Sequence, residues 1–139
     1  MNFRLRQWLV IYQYVAGICD SGAGLLIIGF PVFTLGLMRI TVIPLPLAFI
    51  RYIGVFVLCV GLTYLWTAIR WPLTESTALV WLTQWKITAF IRAMVALFLL
   101  WQWIVHGVEA GWGTVMVFDG VFAAIQFIGL EQGWIERAA

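Results

Sequence analysis

The chain has 139 residues, of which 64% are hydrophobic and 10% charged, with a mean hydropathy of +1.02 and a formal net charge of +2. That balance excludes a water-soluble domain, whose surface could not stay wet, and the length leaves no room for one beside the apolar stretches. The small positive charge is a bias of one membrane face and not a nucleic-acid footprint.

Four apolar stretches, at 8–30, 47–69, 87–105 and 113–130, approach the roughly 20 residues that carry a helix across a hydrocarbon core of about 30 Å. They predict an all-α fold, a polytopic four-transmembrane-helix bundle forming one integral membrane domain over residues 1–139. The first stretch follows Arg4 and Arg6 but is longer than the core of a signal peptide and lacks a small-residue cleavage site, so it is expected to remain as the first helix.

Residues 31–46 begin with Pro31 and contain Pro44 and Pro46, yet they are too apolar for an aqueous loop. They read as an interfacial segment between the first two spans, with one short helix from Pro31 to Arg39. The connection from Arg70 to Lys86 opens with the stop Trp71-Pro72, and its Thr74-Glu75-Ser76-Thr77 run can cap a following helix. The hairpin from His106 to Gly113 is short and glycine-rich, which makes the third and fourth spans antiparallel neighbours.

Basic residues set the expected orientation, because short loops rich in Lys and Arg stay cytoplasmic. The N-terminal side holds Arg4, Arg6, Arg70, Lys86 and Arg137, with Arg92 just within the third helix, against Arg39 and Arg51 on the other. Both termini are therefore expected in the cytoplasm. Trp8, Trp66, Trp71, Trp81, Trp85 and Trp134 fall near the inner boundary, and Trp101, Trp103 and Trp112 near the outer one, as interfacial aromatic belts.

Small residues mark the expected packing faces: Ala16, Gly17, Gly22, Ala23 and Gly24 on the first span, Gly54 and Gly61 on the second, Gly120, Ala123 and Ala124 on the fourth. Ionisable groups inside the bilayer each cost roughly 2.5 to 3.5 kcal/mol on insertion scales, so they are the natural candidates for a role. Asp20 and Asp119 come to nearly the same depth, on the first and fourth spans, which are expected to touch. Gln13 precedes Asp20, and Gln126 follows Asp119, by two helical turns. Arg92 is expected at the height of the glutamines. Gln13, Asp20, Arg92, Asp119 and Gln126 thus form a candidate polar network, read either as a structural lock or as a site where a carboxyl in a dry bundle cycles a proton.

Metal and haem chemistry find no ligand set. His106 is the single histidine, which rules out bis-His ligation by one chain, and Cys19 and Cys59 have no C-x-x-C spacing. No catalytic fingerprint occurs, so the chain is not expected to be an enzyme. His106 and Glu109, three residues apart, are expected to be solvated loop residues.

A span ending in Gly29-Phe30-Pro31, then Leu35-Gly36-Leu37, Arg51-Tyr52-Ile53-Gly54 running to Gly61-Leu62-Thr63-Tyr64, Lys86 opening the third helix and Asp119 in the fourth together resemble the small bacterial four-helix proteins of the broad DoxX-like class. The likeness covers about residues 22–130. It implies a four-helix bundle, with some relatives associated with quinone-linked oxidation or membrane redox assemblies, and points to Arg51, Lys86 and Asp119 as structural or site positions.

The expected function is a non-enzymatic accessory or stabilising subunit of a larger membrane assembly of the respiratory or photosynthetic kind. Membrane lipids and other integral membrane proteins are the expected partners, with no nucleic acid. The chain is expected to bring no cofactor of its own, while lipid, quinone or pigment could be held together with partners. The alternative is a proton-coupled small-molecule transporter or channel that acts as a homo-oligomer.

Overall fold

The computed structural model describes residues 3–139. Among them six helices form and no strand: α1 (Phe3–Gly29), α2 (Pro31–Leu37), α3 (Leu47–Arg70), α4 (Ala78–His106), α5 (Trp112–Glu131) and α6 (Trp134–Ala138). Helices α1, α3, α4 and α5 are each long and apolar enough to cross a membrane. The protein is an all-α, multi-pass membrane protein.

Besides α1, which begins at Phe3 instead of residue 8, two of the predicted boundaries shift. The third span begins at Ala78 instead of residue 87, because Thr74 and Thr77 close the preceding turn: the Thr77 hydroxyl donates to the Pro72 carbonyl at 2.6 Å and accepts from the Thr74 amide at 2.9 Å. Lys86 therefore does not open this helix but sits two turns inside it. The interfacial helix α2 ends at Leu37, before Arg39, in a Schellman closure: Ile40 N donates to Leu35 O at 2.9 Å and Arg39 N to Gly36 O at 3.0 Å. Arg39 takes the left-handed position, at φ 58°, that glycine ordinarily fills. Ile40 and Leu35 bury against each other and Ile50, with Trp112 packed alongside, which fastens this segment to one end of the bundle.

The close helix pairs are α1 with α3 and α4 with α5. Small residues explain the first pair. A Cβ added at Gly24 would lie 2.5 Å from the Leu58 amide nitrogen and 2.8 Å from the Gly54 carbonyl oxygen, so the two backbones meet directly. Gly61 lies equally close to Ser21. Gly22, with open space beside it, does not take part, and Gly120 has only Ala96 nearby, at 3.8 Å.

The opposite end of the bundle closes around Leu9, Leu73, Trp81, Trp85, Ile135 and Ala138, all buried. Here the structure corrects the aromatic belt. Trp81 and Trp85 are fully buried, while Trp8, Trp66, Trp101 and Trp103 are exposed as interfacial rings are. The early start of α4 is the reason: it makes these indoles part of a helical stripe, Trp81, Gln84, Trp85, Thr88, Ala89 and Arg92, that faces inward. Trp81 Nε1 is satisfied by the Trp71 carbonyl at 2.8 Å. The terminal helix α6, which no sequence signal announced, turns back at Gly133 (φ 60°) and places Ile135 and Ala138 against Leu9 and the indoles.

Candidate functional site

Arg92 lies at the centre of the polar interior. From Ala78 it is fourteen residues, about 21 Å, into the helix, far deeper than a start at residue 87 implies. Consequently it stands level with the two aspartates and not with the glutamines. Its guanidinium uses three nitrogens: Nη1 donates to Asp119 Oδ1 at 2.5 Å, Nη2 to Asp20 Oδ2, and Nε to the Tyr64 hydroxyl at 3.1 Å. The residue is 2% exposed. The planar fork suits this arrangement, because its donors point in fixed, separate directions. The rings of Phe122, Tyr64 and Phe118 enclose the cation at 4.9, 5.4 and 5.6 Å from their centroids.

Each partner comes from a different helix: Asp20 from α1, Tyr64 from α3, Arg92 from α4 and Asp119 from α5. One side chain therefore ties all four spans together. The expected meeting of Asp20 and Asp119 takes place across Arg92, although α1 and α5 are not a close backbone pair. Side chains bridge them instead: Tyr12 Oη donates to the Phe122 carbonyl at 3.2 Å, and the two rings sit 5.4 Å apart.

A second polar layer contains the glutamines. Gln13 Nε2 donates to Gln84 Oε1 at 2.8 Å and to the Tyr64 carbonyl at 3.3 Å, while its Oε1 accepts from Trp85 Nε1 at 3.0 Å. Gln126 Nε2 donates to Thr88 Oγ1 at 2.8 Å. Among the described residues, two buried side-chain atoms lack a hydrogen-bond partner, Gln126 Oε1 and Ser21 Oγ. The network thus includes Tyr64, Gln84, Trp85 and Thr88, none of which the sequence reading placed in it. A signal did exist on α4, where Gln84, Thr88 and Arg92 recur every four residues along one stripe.

The remaining candidates lie elsewhere. Arg51 is exposed in the first turn or so of α3 and Lys86 is exposed on α4, so neither joins Asp119. Cys19 and Cys59 are free thiols on exposed positions. His106 ends α4 with its ring edge-on to Trp101 at 5.4 Å. Glu109 is not simply solvated as expected. Its carboxylate accepts from the Thr41 amide at 3.0 Å, the Val42 amide at 3.1 Å and the Thr41 hydroxyl, clipping the α2–α3 segment to the α4–α5 loop. These bonds, the Thr41 hydroxyl foremost, hold its carboxyl below the ordinary value of 4.5. Among the described residues no group of His, Cys, Asp and Glu is arranged to hold a metal ion.

Comparison with protein-family models, with curated proteins and with solved structures finds no match to this chain. The likeness to the DoxX-like class therefore stands on the residues quoted for it alone.

Proposed function

We propose that the chain is a non-enzymatic accessory or stabilising subunit of a larger integral membrane assembly, seated in a bacterial inner membrane with both termini cytoplasmic. The observation that supports this reading is the internal use of the intramembrane charges. Asp20, Arg92 and Asp119 are bound to one another and to Tyr64, across all four spans, as a structural lock would be. The outward faces of α4 in particular are wholly apolar or aromatic over Phe90, Met94, Leu97, Phe98, Trp101 and Ile104, a surface suited to lipid or to another membrane helix. Purification in mild detergent with mass spectrometry of the co-eluting proteins tests the proposal. A stoichiometric integral membrane partner is the expected result, and a protein that elutes only as copies of itself counts against it.

One observation favours a second reading, a proton-coupled transporter acting as a homo-oligomer. Two carboxyl groups share one guanidinium, so neutrality of the cluster requires one proton, and a site that holds a single proton between two acids can release it. Reconstituted vesicles with an imposed pH gradient distinguish the two. The subunit reading expects no flux.

A further inference from the structure

Helices α3 and α4 follow one another in the chain, yet they pack far less closely than α1 with α3 or α4 with α5. Between them runs an apolar groove of about 660 Å³, with Phe56 and Val60 on one wall and Leu79, Thr83, Ile87 and Ile91 on the other. Its threonines turn away from any ligand. Thr63 Oγ1 donates to the Val60 carbonyl at 2.7 Å, Thr83 Oγ1 to Leu79 at 2.8 Å and Thr88 Oγ1 to Gln84 at 2.9 Å, each within its own helix. Gln84 on the floor is engaged with Gln13. An occupant of this groove meets hydrocarbon and no free polar atom.

The dimensions narrow the choice. From Leu79 to Ile91 is twelve residues, about 18 Å of helix, close to the roughly 15 Å that one leaflet contributes to the hydrocarbon core. A single acyl chain is the right length and fits the volume. Arg70 supplies the polar end. It lies seven residues, two turns, beyond Thr63 on the same face of α3, is exposed, and among the described residues makes no ion pair. Trp66 and Trp71 flank it, ring centroids 6.4 Å apart, as residues at headgroup level do.

We propose that the α3–α4 groove binds one acyl chain of an anionic phospholipid whose phosphate rests on Arg70. The site goes beyond the subunit reading and does not depend on it. The test is native mass spectrometry of the full chain in detergent, titrated with phosphatidylglycerol and phosphatidylcholine of equal chain length. The wild type is expected to retain one phosphatidylglycerol in preference to phosphatidylcholine. R70Q should reduce that preference about fivefold, the equivalent of about 1 kcal/mol for one basic residue at the headgroups. T83W and I87W, at exposed wall positions where a larger ring is tolerated, should lower retention of both lipids. Equal retention by wild type and by both groove-filling variants overturns the site, as does a preference unchanged in R70Q. A partner helix found in the groove in place of lipid overturns it too.

Discussion

Arg92 Nη1 and Asp119 Oδ1 lie 2.5 Å apart, on neighbouring helices, with the opposite arm of the same guanidinium on Asp20. A cation held this way is easier to remove together with its partners than alone. Replacing Arg92 by Met leaves two uncompensated carboxyl groups and should destabilise the bundle by about 3 to 5 kcal/mol. The triple change R92M/D20N/D119N should recover most of that loss. Denaturation in mixed micelles, followed by helical circular dichroism, reads both, and equal instability of the single and triple variants would show that the charges do not act as a unit.

Asn is close to Asp in size and keeps a hydrogen bond while removing the charge. If the triad is a lock, D20N and D119N each still insert and stay with their partner, with stability changed by roughly 1 kcal/mol or less, as measured intramembrane hydrogen bonds are. Loss of pH-driven flux in either variant, from a wild type that shows such flux, would reverse the order of the two functional readings.

The Glu109 clip predicts an acid-sensitive α2–α3 segment. Its carboxyl is depressed in the folded protein, so its contribution is present above the ordinary value of 4.5 and lost as pH falls below it. Hydrogen-exchange protection of the Thr41 and Val42 amides, relative to intrinsic exchange at each pH, should therefore fall on acidification below about that value in the wild type. In E109Q, protection should be low and indifferent to pH across the same window; high protection there would mean that other contacts hold the segment.

Gly61→Ala should weaken the α1–α3 pair by about 1 to 3 kcal/mol, because the new methyl meets Ser21 and the helices must part. Gly22→Ala, facing open space, serves as the control and should leave stability nearly unchanged. Comparable losses in the two would contradict the assigned interface.

Arg39→Gly should be stabilising. A non-glycine residue in the left-handed region costs roughly 1 kcal/mol, which glycine removes while leaving the Leu35–Ile40 closure intact. A melting midpoint unchanged or lowered in R39G would show that the arginine side chain contributes more at this surface than its backbone costs.

Much of this architecture was legible in the residues. Span number followed from hydropathy, since a helix that must cross hydrocarbon leaves a long apolar run whatever it packs against. The shared depth of Asp20 and Asp119 followed from their positions along their spans, and the contacts of Gly17, Gly24, Gly54 and Gly61 from their size. Composition sets Arg92 too shallow and Trp81 and Trp85 at an interface for one shared reason: a basic residue, Lys86, marks a boundary in composition, whereas the helix obeys backbone hydrogen bonding and begins at Ala78. Tyr64 was hidden because a tyrosine near a span's end reads as interfacial until its partner is known. Glu109 was hidden because its acceptors are met by backbone amides, which every residue carries alike.

The four-helix clasp also has a history within each newly made molecule. Asp20 and Arg92 are 72 residues apart, so a ribosome adding 5 to 20 residues per second needs roughly 4 to 14 seconds to supply the cation after the acid. Throughout that interval the leading hairpin has its acid and no counterion. Synthesis of α4 is then the step at which the Asp20 carboxyl first gains the cation it is paired with in the folded bundle.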